Sequence, residues 1–296
     1  MTRVGFTAAT SSGELTGWVT GEGPRVVAIH GGPGMSYDYL DVPVTELAAR
    51  YQVATFQQRG LAPSAEKGEF TITEALADLV AVLDGLGWET AYLMGHSWGG
   101  HLAFHAAVGI AGRLDGVLSV DPLGAVGDGG AEAFGAEMLA RVPESDRERA
   151  RVLDEKDTAG ESTPAEDLEA FSLFWPSYFG DPAAAPAVPP VKLSQPAFQG
   201  LWRDLQARLP ELESSLPSIT VPLGVLVGEL SPTPTSAGTE SADRIPGAWS
   251  YVVPGAGHLL WYEAPGSLLA AMDRLVGGGK DHSLRPTASW RQKTSG

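Results

Sequence analysis

The hexapeptide Gly95-His96-Ser97-Trp98-Gly99-Gly100 constrains the fold of this chain more than any other segment. It follows the apolar run Ala91-Tyr92-Leu93-Met94 and precedes a helical stretch of small residues that begins at Leu102. A strand, a tight Gly-x-Ser-x-Gly turn and a helix hold a serine on a sharp bend at the top of a sheet. The flanking glycines let the strand and the helix pack closely, because they carry no Cβ atom. The segment therefore predicts an α/β sheet with the Ser97 hydroxyl exposed at its edge.

Strands and helices alternate on both sides of this turn, which predicts a doubly wound, mostly parallel sheet. Strands are expected at residues 3–6, 14–20, 25–29, 51–56 and 116–120. Helices are expected at residues 37–50 and, from a cap at Thr71 or Thr73, up to Gly85.

The alternation stops at Asp121 and resumes near residue 221. Between them the pattern predicts only helices, at residues 130–141, 146–157, 164–178 and 191–209. Strands return at residues 221–227 and 249–253, and a last helix is expected at 265–276. We therefore predict an α/β core from residues 1–122 and 217–277, a helical cap at 123–216 and a disordered tail at 278–296.

Charge and composition exclude several classes of partner. The formal net charge of −16 repels phosphate backbones and anionic membrane surfaces, so neither nucleic acid nor a membrane is an expected partner. The chain has no cysteine, no run of about 18 apolar residues that could span a bilayer, and no apolar stretch at its N-terminus typical of a secretory signal. We expect a cytoplasmic protein that acts on a small-molecule or short peptide-like substrate.

A serine hydroxyl is a weak nucleophile until a base takes its proton. The best candidate for the base is His258 in Pro254-Gly255-Ala256-Gly257-His258, between the last predicted strand and the last predicted helix. Loops at this edge of an open α/β sheet gather functional side chains. The other histidines fit less well, because they lie in turns, on the helix after Ser97 or in the tail: His30, His96, His101, His105 and His282.

Two backbone N–H groups are expected to stabilise an oxyanion. One belongs to Trp98, directly after the serine. The other comes from the loop His30-Gly31-Gly32-Pro33-Gly34, where Gly32 is the first choice and Gly31 the second. Each such donor contributes about 3 kcal/mol to a transition state that carries negative charge on oxygen.

Four ordered motifs resemble the proline iminopeptidase-like branch of the α/β-hydrolase superfamily: His30-Gly31-Gly32-Pro33-Gly34, Gln58-Arg59-Gly60, Gly95 to Gly100, and Gly255-Ala256-Gly257-His258. The resemblance implies Ser97 as nucleophile, His258 as base and a helical cap over the pocket. Acyl transfer of this kind uses no cofactor and no metal. In one departure, the Asp-Gln-Arg-Gly of the family is Gln57-Gln58-Arg59-Gly60 here.

A second departure concerns the catalytic acid. The family usually places an aspartate in Gly-x-x-Asp after the next-to-last strand, but this chain has Ser231 at that position. Two carboxylates remain as alternatives. Asp121 ends the strand before the cap and is the first choice, and Glu229 lies two positions before Ser231. Both keep the chain order serine, acid, histidine.

The expected function is a serine hydrolase that cleaves a small, partly hydrophobic amide or ester through an acyl-enzyme on Ser97. The alternative, suggested by the missing Gly-x-x-Asp, is a non-hydrolytic protein of the same fold, such as a ligand receptor, a lyase or a cyclase. Substrate contacts are expected from cap aromatics, although their helical spacing also fits packing: Phe174, Trp175 and Tyr178. If the substrate carries a free amine, the candidate carboxylates are Asp128, Glu132 and Glu137.

Overall fold

The structure is a computed structural model and describes residues 2–278. Eight strands form one sheet: β1 (Val4–Thr10), β2 (Gly13–Thr20), β3 (Arg25–Ile29), β4 (Gln52–Phe56), β5 (Ala91–His96), β6 (Leu114–Val120), β7 (Leu223–Gly228) and β8 (Trp249–Val253). Their order is β1-β2-β4-β3-β5-β6-β7-β8. The pairs β1–β2 and β2–β4 are antiparallel, and the other pairs of this sheet are parallel. The predicted α/β fold with a mostly parallel sheet is confirmed.

Parallel pairing places the carboxyl ends of the central strands side by side at one edge of the sheet. Ile29 at the end of β3 pairs with Gly95 of β5, and His96 at the end of β5 pairs with Val120 of β6. Val120 in turn pairs with Leu226 of β7. The loops that follow these strands therefore meet at one edge of the sheet, which is where open α/β sheets bind their ligands.

Helices cover both faces of the sheet. They are α1 (Asp41–Leu47), α2 (Ile72–Gly85), α3 (Trp98–Gly109), α4 (Ala131–Arg141), α5 (Glu144–Ala159), α6 (Pro164–Phe174), α7 (Gln195–Ser215), α8 (Thr235–Asp243), α9 (Leu260–Glu263) and α10 (Ser267–Val276). α2 and α3 pack on one face, and α1 and α10 pack together on the other. The apolar core is accordingly split into two clusters, one on each side of the sheet.

Four helices, α4 to α7, lie between β6 and β7, and we call the segment that contains them the cap. α5 packs on α6, and α4 packs on a 3-10 turn at Trp175–Tyr178. The second part of α7 belongs to the core, because Leu201, Leu205 and Leu209 are buried in the same cluster as the strands. The domain boundaries at residues 122 and 216 remain predictions.

Several helices differ from the expectation. The helix predicted at residues 164–178 is α6, which ends at Phe174, followed by the 3-10 turn, and α9 was not predicted. The helix predicted at residues 37–50 is a 3-10 turn at Tyr37–Leu40 followed by the short α1. α7 begins and ends later than predicted, because Pro196 suits its first turn and buried leucines continue beyond Pro210. The sequence pattern missed α8, whose buried face consists of small residues: Ala237, Gly238, Ser241 and Ala242.

The tail predicted at residues 278–296 lies outside the described residues apart from Gly278. Within residues 2–278, every helix is too short or too polar to cross a bilayer.

Candidate active site

Ser97 occupies a strained turn between β5 and α3. Its backbone angles are φ 56° and ψ −118°, in a region that side-chain-bearing residues rarely adopt. The turn requires glycine at both flanks. A Cβ atom on Gly95 would lie 2.0 Å from the carbonyl oxygen of Gly99, and one on Gly99 would lie 2.6 Å from that of Ile29. The chain folds here in the way that the Gly-x-Ser-x-Gly pattern predicts.

His258 and Asp121 lie together at the same edge of the sheet. Asp121 follows β6, and its Oδ2 forms a short hydrogen bond with Nδ1 of His258. Both side chains are buried, with 1% of Asp121 and 3% of His258 exposed. The contact leaves Nε2 of His258 as the ring nitrogen available to a substrate or to Ser97. Among residues 2–278, the Ser97 hydroxyl has no hydrogen-bond partner.

Two further donors fix the Asp121 carboxylate. The backbone N–H of Gly228 donates to Oδ1 at 2.7 Å, and the Ser231 hydroxyl donates to Oδ2 at 2.5 Å. Ser231, the residue at the usual acid position, therefore contacts the carboxylate that faces His258. Glu229, the other candidate acid, is exposed and accepts a hydrogen bond from the N–H of Gly255 at 2.8 Å. The structure brings Asp121 to His258 and leaves Glu229 outside the site.

The two glycines proposed for the oxyanion hole differ in their partners. The N–H of Gly31 donates to the Tyr39 hydroxyl. Among the described residues, the N–H groups of Gly32 and Trp98 have no hydrogen-bond partner. Trp98 is the first residue of α3, where backbone donors lack intrahelical acceptors. Gly32 has φ 59°, a value that favours glycine.

Gln58 connects the glycine loop to the elbow. Its amide Nε2 donates to the carbonyl oxygen of His30 at 2.9 Å, and its Oε1 accepts from the Trp98 indole at 3.0 Å. Gln57, where the family has aspartate, accepts from the N–H of Tyr37 and donates to the carbonyl of Met35. Both amides therefore hold the loop that carries Gly32 in place.

A cavity of about 310 Å³ lies between this edge and the cap. Ser97, His258, Gly32 and Trp98 line its core side. The three aromatics expected to contact substrate also line it: Phe174, Trp175 and Tyr178. Phe134 and Met138 of α4 add apolar surface that the sequence pattern did not single out. The volume and apolar lining are typical of a small-molecule site.

Three cap carboxylates line the same cavity, and none was among the candidates predicted from the sequence. They are Asp154 and Asp157 on α5 and Asp167 on α6. The predicted ones lie elsewhere: Asp128 accepts from the N–H groups of Gly130 and Glu132, and Glu137 pairs with Arg141. Neither these two nor Glu132 lines the cavity. The pattern failed because helical periodicity does not say which side of a cap helix faces the core.

The cavity carboxylates interact electrostatically. Burial, together with the negative charges of Asp167 and Asp154, raises the pKa of Asp157, against the hydrogen bond from Gln195 that lowers it. The Gln195 amide donates to Oδ1 of Asp157 at 2.5 Å. Oδ1 of Asp167 is buried without a hydrogen-bond partner. Among residues 2–278, none of the three carboxylates forms an ion pair, so the cavity has an uncompensated negative side.

The cap forms direct hydrogen bonds with the loop that carries His258. The N–H of His258 donates to the carbonyl of Tyr178 at 2.8 Å, and the rings of these residues stack with centroids 5.2 Å apart. Glu263 of α9 accepts hydrogen bonds from the N–H groups of Gly257 and Gly180, at 2.6 and 2.9 Å. Residues 177–181 of the cap are therefore held against residues 257–258 of the core by hydrogen bonds and ring stacking.

The alpha/beta hydrolase family model matches residues 26–272. A proline iminopeptidase from Thermoplasma volcanium is 33% identical over 138 residues, which cover 45% of this chain and 41% of that enzyme. Epoxide hydrolase A from Mycobacterium tuberculosis is 27% identical over 86% of this chain and 91% of its own length.

Solved structures show the same fold. The structure of an alpha/beta fold family hydrolase from Bacillus anthracis superposes with a TM-score of 0.69 at 18% identity, over 94% of this chain and 99% of that one.

Proposed function

The chain belongs to the alpha/beta hydrolase family, and we propose that it hydrolyses small amides or esters through an acyl-enzyme on Ser97. The observation that carries this proposal is the contact between Asp121 and His258 beside the cavity that Ser97 lines. A serine, a carboxylate and a histidine in this order along the chain are the residues that nucleophilic acyl transfer uses.

The proposed reaction begins when Oγ of Ser97 attacks the carbonyl carbon of the substrate. Nε2 of His258 takes the hydroxyl proton, and Oδ2 of Asp121 holds Nδ1–H and stabilises the imidazolium that forms. The N–H groups of Gly32 and Trp98 donate to the oxyanion. His258 then gives its proton to the leaving amine or alcohol. Water repeats the sequence on the acyl-enzyme and releases the acid.

The serine also argues against epoxide opening, the activity named for one relative. Attack of Oγ of Ser97 on an epoxide carbon would form an alkyl ether. Such an ether has no carbonyl for water to attack, so the enzyme would not turn over. An acyl substrate instead gives an ester on Ser97, which the same base and oxyanion donors can hydrolyse.

The cavity supports a narrower substrate class, an acyl compound that carries a protonated amine. Asp157 and Asp167 are half-buried, Asp154 is exposed, and all three line the cavity without a cationic partner among residues 2–278. An ammonium group would supply the missing positive charge and donate hydrogen bonds to them. The cavity aromatics Phe174 and Trp175 suit the apolar remainder and can also attract a cation.

An organic cation fits these carboxylates better than a metal ion. Within residues 2–278, no three histidine or acidic side chains come close enough together to hold a metal. An ammonium group has three donors on a single nitrogen and tolerates more widely spaced acceptors. This difference favours an amine on the substrate as the partner of the cap carboxylates.

The first experiment treats the folded chain and its Ser97→Ala variant with a fluorophosphonate probe. We expect the wild type to be labelled at Ser97 and the variant to remain unlabelled, because the probe reacts only with an activated serine. A folded wild type that resists the probe, yet binds ligands equally well after Ser97→Ala, contradicts the hydrolase and supports a receptor, lyase or cyclase.

The second experiment tests the amine. We expect a p-nitrophenyl ester with a free amine on its acyl group to be preferred over its des-amino analogue. Asp157→Asn should raise KM for the amino ester roughly tenfold, because it removes one charged acceptor, and leave the des-amino ester unchanged. Glu161→Gln is the matched control, since Glu161 is an exposed cap carboxylate outside the cavity. Equal effects of both variants on both esters would refute the ammonium site.

A further inference from the structure

Three loops of the site are joined by one buried chain of hydrogen bonds. The N–H of Gly31, in the glycine loop, lies within hydrogen-bond distance of the Tyr39 hydroxyl. That hydroxyl is 2.9 Å from Nδ1 of His96, the residue before Ser97. Nε2 of His96 is 3.0 Å from the backbone carbonyl oxygen of His258. The chain therefore links the oxyanion loop, the elbow and the loop of the base.

The donor and the acceptor can be assigned in each of these hydrogen bonds. The carbonyl oxygen of His258 can only accept, so Nε2 of His96 carries the hydrogen. A neutral ring then accepts at Nδ1 from the Tyr39 hydroxyl, whose oxygen accepts from Gly31. Burial, and secondarily the neighbouring His258, holds the pKa of His96 well below its ordinary value, so the ring stays neutral. Each polar group in this series of hydrogen bonds therefore has a partner.

Packing fixes the same residues. Tyr39 and His96 both contact the indole of Trp261, with ring centroids 6.2 and 4.8 Å apart. A Cβ atom on Gly31 would lie only 2.7 Å from Cβ of Ser97, so this glycine presses against the elbow. A shift of Gly31 would therefore move the oxyanion loop relative to the serine.

We propose that Tyr39 and His96 are positioning residues, which set the base loop and the oxyanion loop in register with Ser97. This inference rests on the proposed function. By holding the N–H of Gly31, Tyr39 leaves Gly32 and Trp98 as the donors that face the oxyanion. By donating to the backbone carbonyl of His258, His96 fixes the position of that residue, and so of its imidazole, relative to Ser97. Both residues line the cavity, and the His96 ring lies 4.6 Å from that of His258 between centroids, but neither takes part in the proposed bond-making steps.

Tyr51 provides a matched control for Tyr39. Both tyrosines are buried in the same apolar cluster, with 3% and 5% of their surface exposed. The Tyr51 hydroxyl donates to Asp273 at 2.7 Å and does not line the cavity. Tyr51→Phe and Tyr39→Phe each delete one buried hydroxyl, so a loss of core stability alone would affect both variants alike.

The experiment measures kcat and KM for a p-nitrophenyl ester and the rate of fluorophosphonate labelling in the full chain. We expect Tyr39→Phe to lower kcat and the labelling rate about tenfold with KM within about twofold, because the lost hydrogen bonds act on the reacting geometry. Tyr51→Phe should leave all three values near those of the wild type. The thermal midpoint of unfolding should fall in both variants.

A second pair of variants decides the matter if Tyr39→Phe does not fold. His96→Gln keeps a donor and an acceptor on one side chain, whereas His96→Leu removes both. We expect the glutamine to retain at least about tenfold more kcat than the leucine. Equal kcat in folded His96→Gln and His96→Leu, or an unchanged kcat in Tyr39→Phe, would overturn the positioning role and leave the proposed function standing. A wild type that the phosphonate does not label removes the proposed function, and this inference with it.

Discussion

Asp121 combines an unusual backbone with a fully engaged side chain. Its φ of 44° lies in the left-handed region, which aspartate and asparagine tolerate better than other residues with a side chain. From there its carboxylate meets Gly228, Ser231 and His258. The donors Gly228 and Ser231 therefore fix the carboxylate in the orientation that faces the His258 ring.

Asp121→Asn is therefore expected to lower kcat by roughly a thousandfold or more, since an amide cannot stabilise the charged His258 ring. Asparagine tolerates the same φ, so the backbone should survive. Glu229→Gln serves as the control and should change kcat by less than about twofold, because its carbonyl can still accept from Gly255. Steady-state kinetics on one acyl ester checks both, and the opposite ranking would assign the acid to Glu229.

Short sequence motifs can describe residues whose neighbours are local. The glycines around Ser97 and His258 are adjacent in the chain, so short motifs describe their geometry. Asp121 and Ser231 meet only because β6 and β7 pair, so the sequence alone leaves two candidate carboxylates for the acid. Asp154, Asp157 and Asp167 could not be singled out, because their shared property is the cavity that they face.

The elbow shows how closely two elements can approach. β5 and α3 leave no room for a side chain between Gly95 and Gly99, and α3 also abuts the end of β3 at Ile29. The strain at Ser97 is thus held by packing of three elements rather than by the turn alone.

Gly95→Ala should therefore destabilise the protein by roughly 3 kcal/mol or more, because its methyl group would overlap the backbone of Gly99. Gly112→Ala is the matched control, since Gly112 is exposed and its Cβ would meet no atom within 4 Å. That change should stay within about 0.5 kcal/mol. Urea denaturation monitored by circular dichroism measures both, and a stable Gly95→Ala would mean that the elbow can relax.

Element type was predictable where apolar periodicity was strong, as in β3, β5 and α2. It failed for α8, because alanine, glycine and serine carry too little apolar surface to reveal a buried face. It misplaced α7, because proline at position 210 ordinarily ends a helix, whereas here the gain from burying Leu212 outweighs the lost hydrogen bond.

Among the described residues, burial lowers the pKa of four histidines and so favours their neutral form. It lowers the pKa of His30 and His101 to about 4 and that of His105 to about 3, and it holds His96 well below its ordinary value. An unfolded chain protonates such rings near pH 6.5. Between pH 6.5 and 4 the unfolded state therefore binds more protons than the folded state.

The free energy of unfolding should accordingly be greatest above pH 6.5 and fall steadily as the pH decreases towards 4. His30 and His101 each contribute up to about 3 kcal/mol to this loss. His101→Gln removes one of these groups, so its unfolding free energy should decline less steeply over the same interval. Urea midpoints at several pH values test this, and identical slopes in the two proteins would show that His101 does not titrate on unfolding.

The hydrogen bonds from His258 to Tyr178 and from Gly180 to Glu263 join the cap to the core, and this has a consequence for the timing of the reaction. A cap that lifted on this side would pull the base away from the serine, so an opened enzyme would be switched off. We therefore expect the proposed chemistry to proceed only while the cap covers this side of the site.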